Sequence, residues 1–132
     1  MTKIIIFDLD DTLVNPKMII PRQTYHMLNK FKKLNYIIGI ITYNCLVNIV
    51  AKETNLYKYT NYIFYGYLDR DILFKKALNK IFEENPTSLN WQIYYVDDRA
   101  DHLQIVKESF STIITYHCVN MCELYKFKFM IT

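Results

Sequence analysis

Apolar residues fall along this chain in two rhythms. Near-continuous runs of Ile, Val, Tyr and Phe occur at 3–7 (KIIIF), 36–41 (YIIGII), 61–65 (NYIFY), 92–96 (QIYYV) and 112–116 (TIITY). Short runs rich in β-branched and aromatic residues predict strands, and their lack of alternation predicts strands covered on both faces. Longer amphipathic stretches between them predict helices at 22–34, 44–55, 70–84 and 99–110. Asn44 and Asp98 are candidate caps for the second and fourth, since their side-chain oxygens can accept from free backbone N–H groups. Pro86, within NPTSLN, predicts a loop after the third helix. Strand and helix alternate throughout, which predicts a single doubly wound, Rossmann-like α/β domain over residues 1–132. Its sheet is expected to be five-stranded and mostly parallel, with helices on both faces. The ending MCELYKFKFMIT alternates apolar and basic residues and fits either an edge strand or a short surface helix.

Composition narrows the function. One domain's worth of chain, 132 residues, is 52% hydrophobic and 16% aromatic, so large rings should fill the core. Its two glycines, Gly39 and Gly66, exclude the glycine-rich phosphate loops, which need several at close spacing. Sixteen basic against thirteen acidic residues give a net charge of +3, compatible with an anionic substrate. That is not the basic stripe of a dedicated nucleic-acid binder, so nucleic acid is not the favoured partner. No run approaches the roughly 18 apolar residues of a membrane span. Carboxylates interrupt the opening MTKIIIFDLDDTL where a signal peptide needs apolar residues. The expectation is an intracellular, cytoplasmic protein with no membrane partner. In that compartment Cys45, Cys118 and Cys122 should be free thiols. Abundant Ile, Lys, Asn and Tyr point to an AT-rich coding genome.

In an open parallel sheet, ligands bind beyond the carboxyl ends of the strands at the topological switch point. The first strand runs into Asp8, Asp10, Asp11 and Thr12. The second ends at Thr42, Tyr43 and Asn44, and the fourth at Asp97 and Asp98, with Asp101 one turn later. Carboxylates converging on one rim repel each other, and a cation is the natural way to keep them ionised.

These segments carry a resemblance. FDLDDTL (7–13) resembles the first motif of the haloacid-dehalogenase superfamily, GIITYN (39–44) the second, and YYVDDRADHL (94–103) the acidic fourth. VDDRADHLQIVKESFSTIITYH is similar to the corresponding region of the magnesium-dependent phosphatases, a group without a large cap. Little chain separates Leu13 from the first helix, and no long insertion follows the third strand, so no large cap is expected either.

The resemblance implies a phosphatase in which Asp8 attacks phosphorus and Asp10 serves as general acid and base. It implies Mg²⁺ held by the Asp8 carboxylate, the Asp10 carbonyl and the Asp97–Asp98 pair, with Asp98 the favoured direct ligand. Thr42 would bind a phosphoryl oxygen, assisted by backbone amides near Asn44, and Tyr43 lies close enough to stack on substrate. The superfamily supplies a lysine to the phosphoryl group, and spacing favours Lys75. Lys76 and Arg70 remain open. Asp101 is expected to support the metal or fix the loop, and Arg99 to pair with a carboxylate or contact substrate. His117, Cys118 and Cys122 lack a fourth ligand for zinc. The expected substrate is a small phosphate ester or a phosphoprotein. Two alternatives are a nucleic-acid 3′-phosphatase and a non-catalytic binding module, and clustered like charges have no physical use in the latter. Asp10 favours phosphoryl over halide chemistry, because a leaving oxygen needs an acid.

Overall fold

The computed structural model describes residues 1–87 and 89–131. Five strands, β1 (Thr2–Asp8), β2 (Ile37–Thr42), β3 (Tyr62–Tyr65), β4 (Trp91–Asp97) and β5 (Ile114–His117), form one sheet in the order β3-β2-β1-β4-β5. Every pairing is parallel. The expected doubly wound α/β architecture is therefore the observed one. The chain winds outward through β2 and β3, then returns to the other side of β1 for β4 and β5. The carboxyl ends of β1 and β4, and so Asp8 and Asp97, flank the switch point.

Period-2 alternation divides β1 between two cores. Ile5 and Phe7 face α1 (Arg22–Lys33) and α2 (Val47–Glu53). Ile4 and Ile6 face α3 (Arg70–Glu84) and α4 (Ala100–Ser109). Helix α1 buries Met27, Leu28 and Phe31, and carries Lys30, Lys32 and Lys33 in its last turn, where they suit the negative end of the helix dipole. The chain then reverses through Asn35 at φ 62°, a left-handed position that asparagine tolerates. The expected loop around Pro86 separates α3 from β4, although its Ser88 lies outside the described residues.

Two local expectations are corrected, and one left open is decided. Helix α2 starts at Val47 rather than 44, because side chains claim the preceding backbone. Asn44 N–H donates to Thr42 Oγ1 (3.0 Å) and Leu46 N–H to Asn44 Oδ1 (2.9 Å), a turn that competes with helix. At the start of α4 it is Asp97, not Asp98, that accepts from a backbone amide, that of Arg99 (2.9 Å). The C-terminal segment, open between an edge strand and a short surface helix, is helical. A 3-10 stretch (Met121–Lys126) leads into α5 (Phe127–Ile131), and Phe127 is fully buried against Phe7, Phe31, Tyr94 and Tyr116. Thr132 lies outside the described residues.

The connections at residues 9–21 and 66–69 contain no further helix or strand beyond an Asp10–Val14 bridge. No helix among the described residues is long and apolar enough to cross a membrane.

Candidate active site

Parallel pairing sets the carboxyl ends of β1, β2 and β4 side by side, and that register assembles the site. Oxygens of Asp8, Asp97 and Asp98 lie within 4.8 Å of one another. Asp8 and Asp97 are buried, and Asp98 is half-buried. The turn after β1 closes on itself through Leu13 N–H to Leu9 O (2.9 Å), with Asp11 in the left-handed region at φ 62°. It swings Thr12 back, so that its hydroxyl lies 3.3 Å from both Asp8 Oδ2 and Asp98 Oδ1. Thr12 thus stitches two carboxylates from distant parts of the chain. An all-oxygen set this close suits a hard divalent cation. Without one, burial first and then the neighbouring Asp97 charge push the Asp8 carboxyl up to about 9, against the opposing pull of Arg70.

Arg70 is the buried cation of the site, and the exposed Arg99 also lines its hollow. Arg70 is 3% exposed, and its guanidinium lies 3.4 Å from Asp8 Oδ1 and 3.3 Å from the Ile41 carbonyl. It also sits over the Tyr43 ring, 4.4 Å from the centroid. Its Nε is a buried donor without a hydrogen-bond partner among the described residues. Lys75 does not come to the carboxylates. It is exposed and lines a separate hollow with Ile72, Ser109 and Phe110, and Lys76 is exposed as well. The short 66–69 connection places the first turn of α3 at the rim. A residue five positions on lies about 7.5 Å down the axis and roughly 140° around it.

The remaining candidates divide. Asp10 is exposed, with its side chain outside the three-carboxylate cluster. Its carboxyl is raised, chiefly by burial, while a hydrogen bond from Asn44 Nδ2 (3.3 Å) lowers it. Thr42 is buried at the site and accepts from Asn44 N–H, which leaves its own hydroxyl proton to donate. Of the backbone amides near Asn44 expected to assist phosphate, those of Asn44 and Leu46 are engaged locally. Tyr43 supports Arg70 and meets His102 edge-on (5.8 Å). Asp101 and Arg99 pair with each other at 2.7 Å on the surface. His117 Nε2 contacts the Asp98 carbonyl (2.9 Å), and Cys118 is a buried free thiol pushed up to about 12 by burial.

Two residues were not anticipated. Tyr95 OH donates to Asp97 Oδ2, and His102 Nδ1 lies 3.1 Å from the same oxygen. With Arg99 N–H on Oδ1, the Asp97 carboxylate is enclosed by protein donors, whereas Asp98 lines the open hollow. The available signal was spacing. Tyr95 shares a strand face with Asp97, and His102 follows in the first turns of α4.

The hollow bounded by Asp8, Asp10, Thr42, Arg70, Asp98 and His102 encloses about 170 Å³. A larger one, about 490 Å³, lies at the opposite strand ends among Lys32, Tyr36, Tyr57 and Asn61, with no member of the acidic cluster in its lining.

No protein-family model matches the chain, and no curated relative does. Among solved structures, the fold is similar to that of a HAD-superfamily hydrolase from Ehrlichia chaffeensis, with a TM-score of 0.60 and 16% identity. The match covers 86% of this chain and 59% of that one, so the chain spans well under two thirds of its neighbour's length. At that identity the likeness is one of fold.

Proposed function

We propose that the chain is a metal-dependent phosphomonoester hydrolase of the haloacid-dehalogenase type, without a large cap, working through a phosphorylated Asp8. The observation that carries this is the convergence of Asp8, Asp97 and Asp98 within 4.8 Å, beside the buried Arg70 and Thr42. The fold likeness to a HAD-superfamily hydrolase supports the family, and the ordered motifs at three strand ends support the chemistry.

Mg²⁺ would fit the oxygens of Asp8 and Asp98, with the Asp10 carbonyl as the further ligand that the resemblance implies, and when bound it would supply positive charge that keeps these carboxylates ionised and offsets charge on the phosphoryl group. Asp97, already enclosed by Tyr95, His102 and Arg99 N–H, orients this set rather than adding a free ligand atom.

Asp8 attacks phosphorus in line, and the bond from phosphorus to the ester oxygen breaks. Asp10 protonates the departing oxygen. Its carboxyl is raised above the ordinary aspartate range, the direction that favours a general acid. The same carboxylate then takes a proton from water, which attacks the phosphorus of the aspartyl-phosphate. Inorganic phosphate leaves and Asp8 is restored. Arg70 and the Thr42 hydroxyl hold the non-bridging oxygens, so of the three cations left open, Lys75, Lys76 and Arg70, it is Arg70 that takes this role.

Hydrolysis of 4-nitrophenyl phosphate, with and without Mg²⁺, tests the proposal. Wild-type protein is expected to turn over only with metal, and Asp8→Asn not at all. Equal turnover by Asp8→Asn would exclude Asp8 as nucleophile.

A further inference from the structure

The hollow at the carboxylates, about 170 Å³, is smaller than the roughly 300 Å³ at which ligand pockets usually begin. A phosphoryl group fits, and the organic part of an ester has to lie outside. Near the lining residue Arg70 in the chain, though outside the lining itself, stand two exposed tyrosines. Thr42 pairs in register with Tyr65 on the edge strand β3, and Gly66 N–H donates to the Thr42 carbonyl over 3.2 Å. Arg70, 3.4 Å from Asp8, follows Tyr67 by three residues. Both ends of the 65–70 segment are therefore pinned to the site. Here Tyr65 and Tyr67 set their rings edge to face, 5.4 Å between centroids at 77°, yet remain 43% and 77% exposed. Neither belongs to the two apolar cores. Rings held together in water beside a reaction centre form a stacking surface rather than a packing one.

Distance selects what stacks there. Asp8, Ile41 and Phe64 align across β1, β2 and β3. Tyr65, next after Phe64, thus begins about 10 Å from Asp8, two strand spacings away. A phosphorylated phenol carries its ring directly on the ester oxygen, too near phosphorus to reach. A nucleotide interposes a ribose, which bridges the gap.

We infer that the site takes nucleoside monophosphates, free or as the terminal nucleotide of a strand, with the base stacked on Tyr67 and Tyr65. This rests on the phosphomonoester-hydrolase reading above and assigns its substrate class. Every base offers a π face, so the ring pair selects for the presence of a base and not for its identity.

Uridine and adenosine 5′-monophosphates share their leaving oxygen with ribose 5-phosphate and differ from it only by the base. The test measures kcat and KM with Mg²⁺ for these three, for 4-nitrophenyl phosphate and for a 5′-phosphorylated oligonucleotide. The proteins are wild type, Tyr67→Ala, Tyr67→Phe and the remote surface variant Tyr57→Ala. Stacking of one base predicts a kcat/KM ratio of nucleotide to ribose 5-phosphate of about ten in wild type, expressed mainly in KM. The ratio collapses to about one in Tyr67→Ala and is retained in Tyr67→Phe and Tyr57→Ala. Preferential turnover of the oligonucleotide assigns strand ends, and of the free nucleotides, mononucleotides. A wild-type ratio near one, or a ratio that survives Tyr67→Ala, overturns the inference. Turnover of 4-nitrophenyl phosphate alone overturns this substrate class and leaves the hydrolase intact, whereas turnover of no ester removes both.

Discussion

Replacing Asp8 by asparagine keeps the side-chain volume and removes a carboxyl that must take up a proton to be buried beside Asp97 and Asp98, so it should stabilise the metal-free protein while abolishing activity. In that state the folded carboxyl is pushed up to about 9, against an ordinary aspartate value of 3.8 in the unfolded chain. Between those limits the folded chain holds one proton more than the unfolded chain. The contribution of Asp8 to stability is complete below pH 4 and declines by about 1.4 kcal/mol per pH unit until the folded carboxyl ionises. Asparagine does not titrate. Urea unfolding in EDTA should therefore show the stability difference between Asp8→Asn and wild type widening in the variant's favour by about 3 kcal/mol from pH 5.5 to 7.5. Added Mg²⁺ reverses the order, because a ligand that binds only the folded protein stabilises it and the variant has lost a ligand atom. A difference that stays constant with pH, or equal stabilisation of both proteins by Mg²⁺, would refute the picture of Asp8 as a buried, crowded carboxylate waiting for a cation.

Other residues give sharper separations. Arg70→Ala should lower kcat for 4-nitrophenyl phosphate about 100- to 1,000-fold, as loss of one buried transition-state donor typically does. Lys75→Ala should stay within about twofold, since Lys75 faces solvent away from the cluster. His102→Phe leaves Asp97 without one donor and should weaken Mg²⁺ binding by roughly 10- to 100-fold in calorimetry. Phe127→Ala opens a cavity among Phe7, Phe31, Tyr94 and Tyr116 and should cost about 3–5 kcal/mol in urea unfolding. A much smaller cost would mean that the C-terminal helix is not part of the core.

The parts of this molecule legible in its sequence are those fixed by strand periodicity. Runs such as KIIIF and QIYYV define buried parallel strands, and a strand's end dictates where Asp8 and Asp97 emerge. Positions that depend on helix phase were not legible in the same way. Lys75 and Arg70 both lie on α3, and only the length of the connection from β3 decides which of them reaches the rim. The start of α2 depended on which backbone amides Thr42 and Asn44 would claim, a competition that cap preferences alone do not resolve. Near the C-terminus, alternation of apolar and basic side chains suited a strand or a short helix alike, and the helix that forms buries one ring, Phe127, between Phe7 and Phe31. Thr12 and His102 gain significance only once Asp8, Asp97 and Asp98 are neighbours in space.

The central claim is that phosphorus passes through the carboxylate of Asp8. Borohydride reduces an aspartyl-phosphate to the alcohol and leaves a free carboxylate untouched. Quenching wild-type protein into borohydride during turnover with Mg²⁺, followed by peptide mass spectrometry, should place that reduction at Asp8 and at no other acidic residue. Phosphate release with Asp8 unmodified, or reduction at Asp10, Asp97 or Asp98 in its place, would contradict the mechanism.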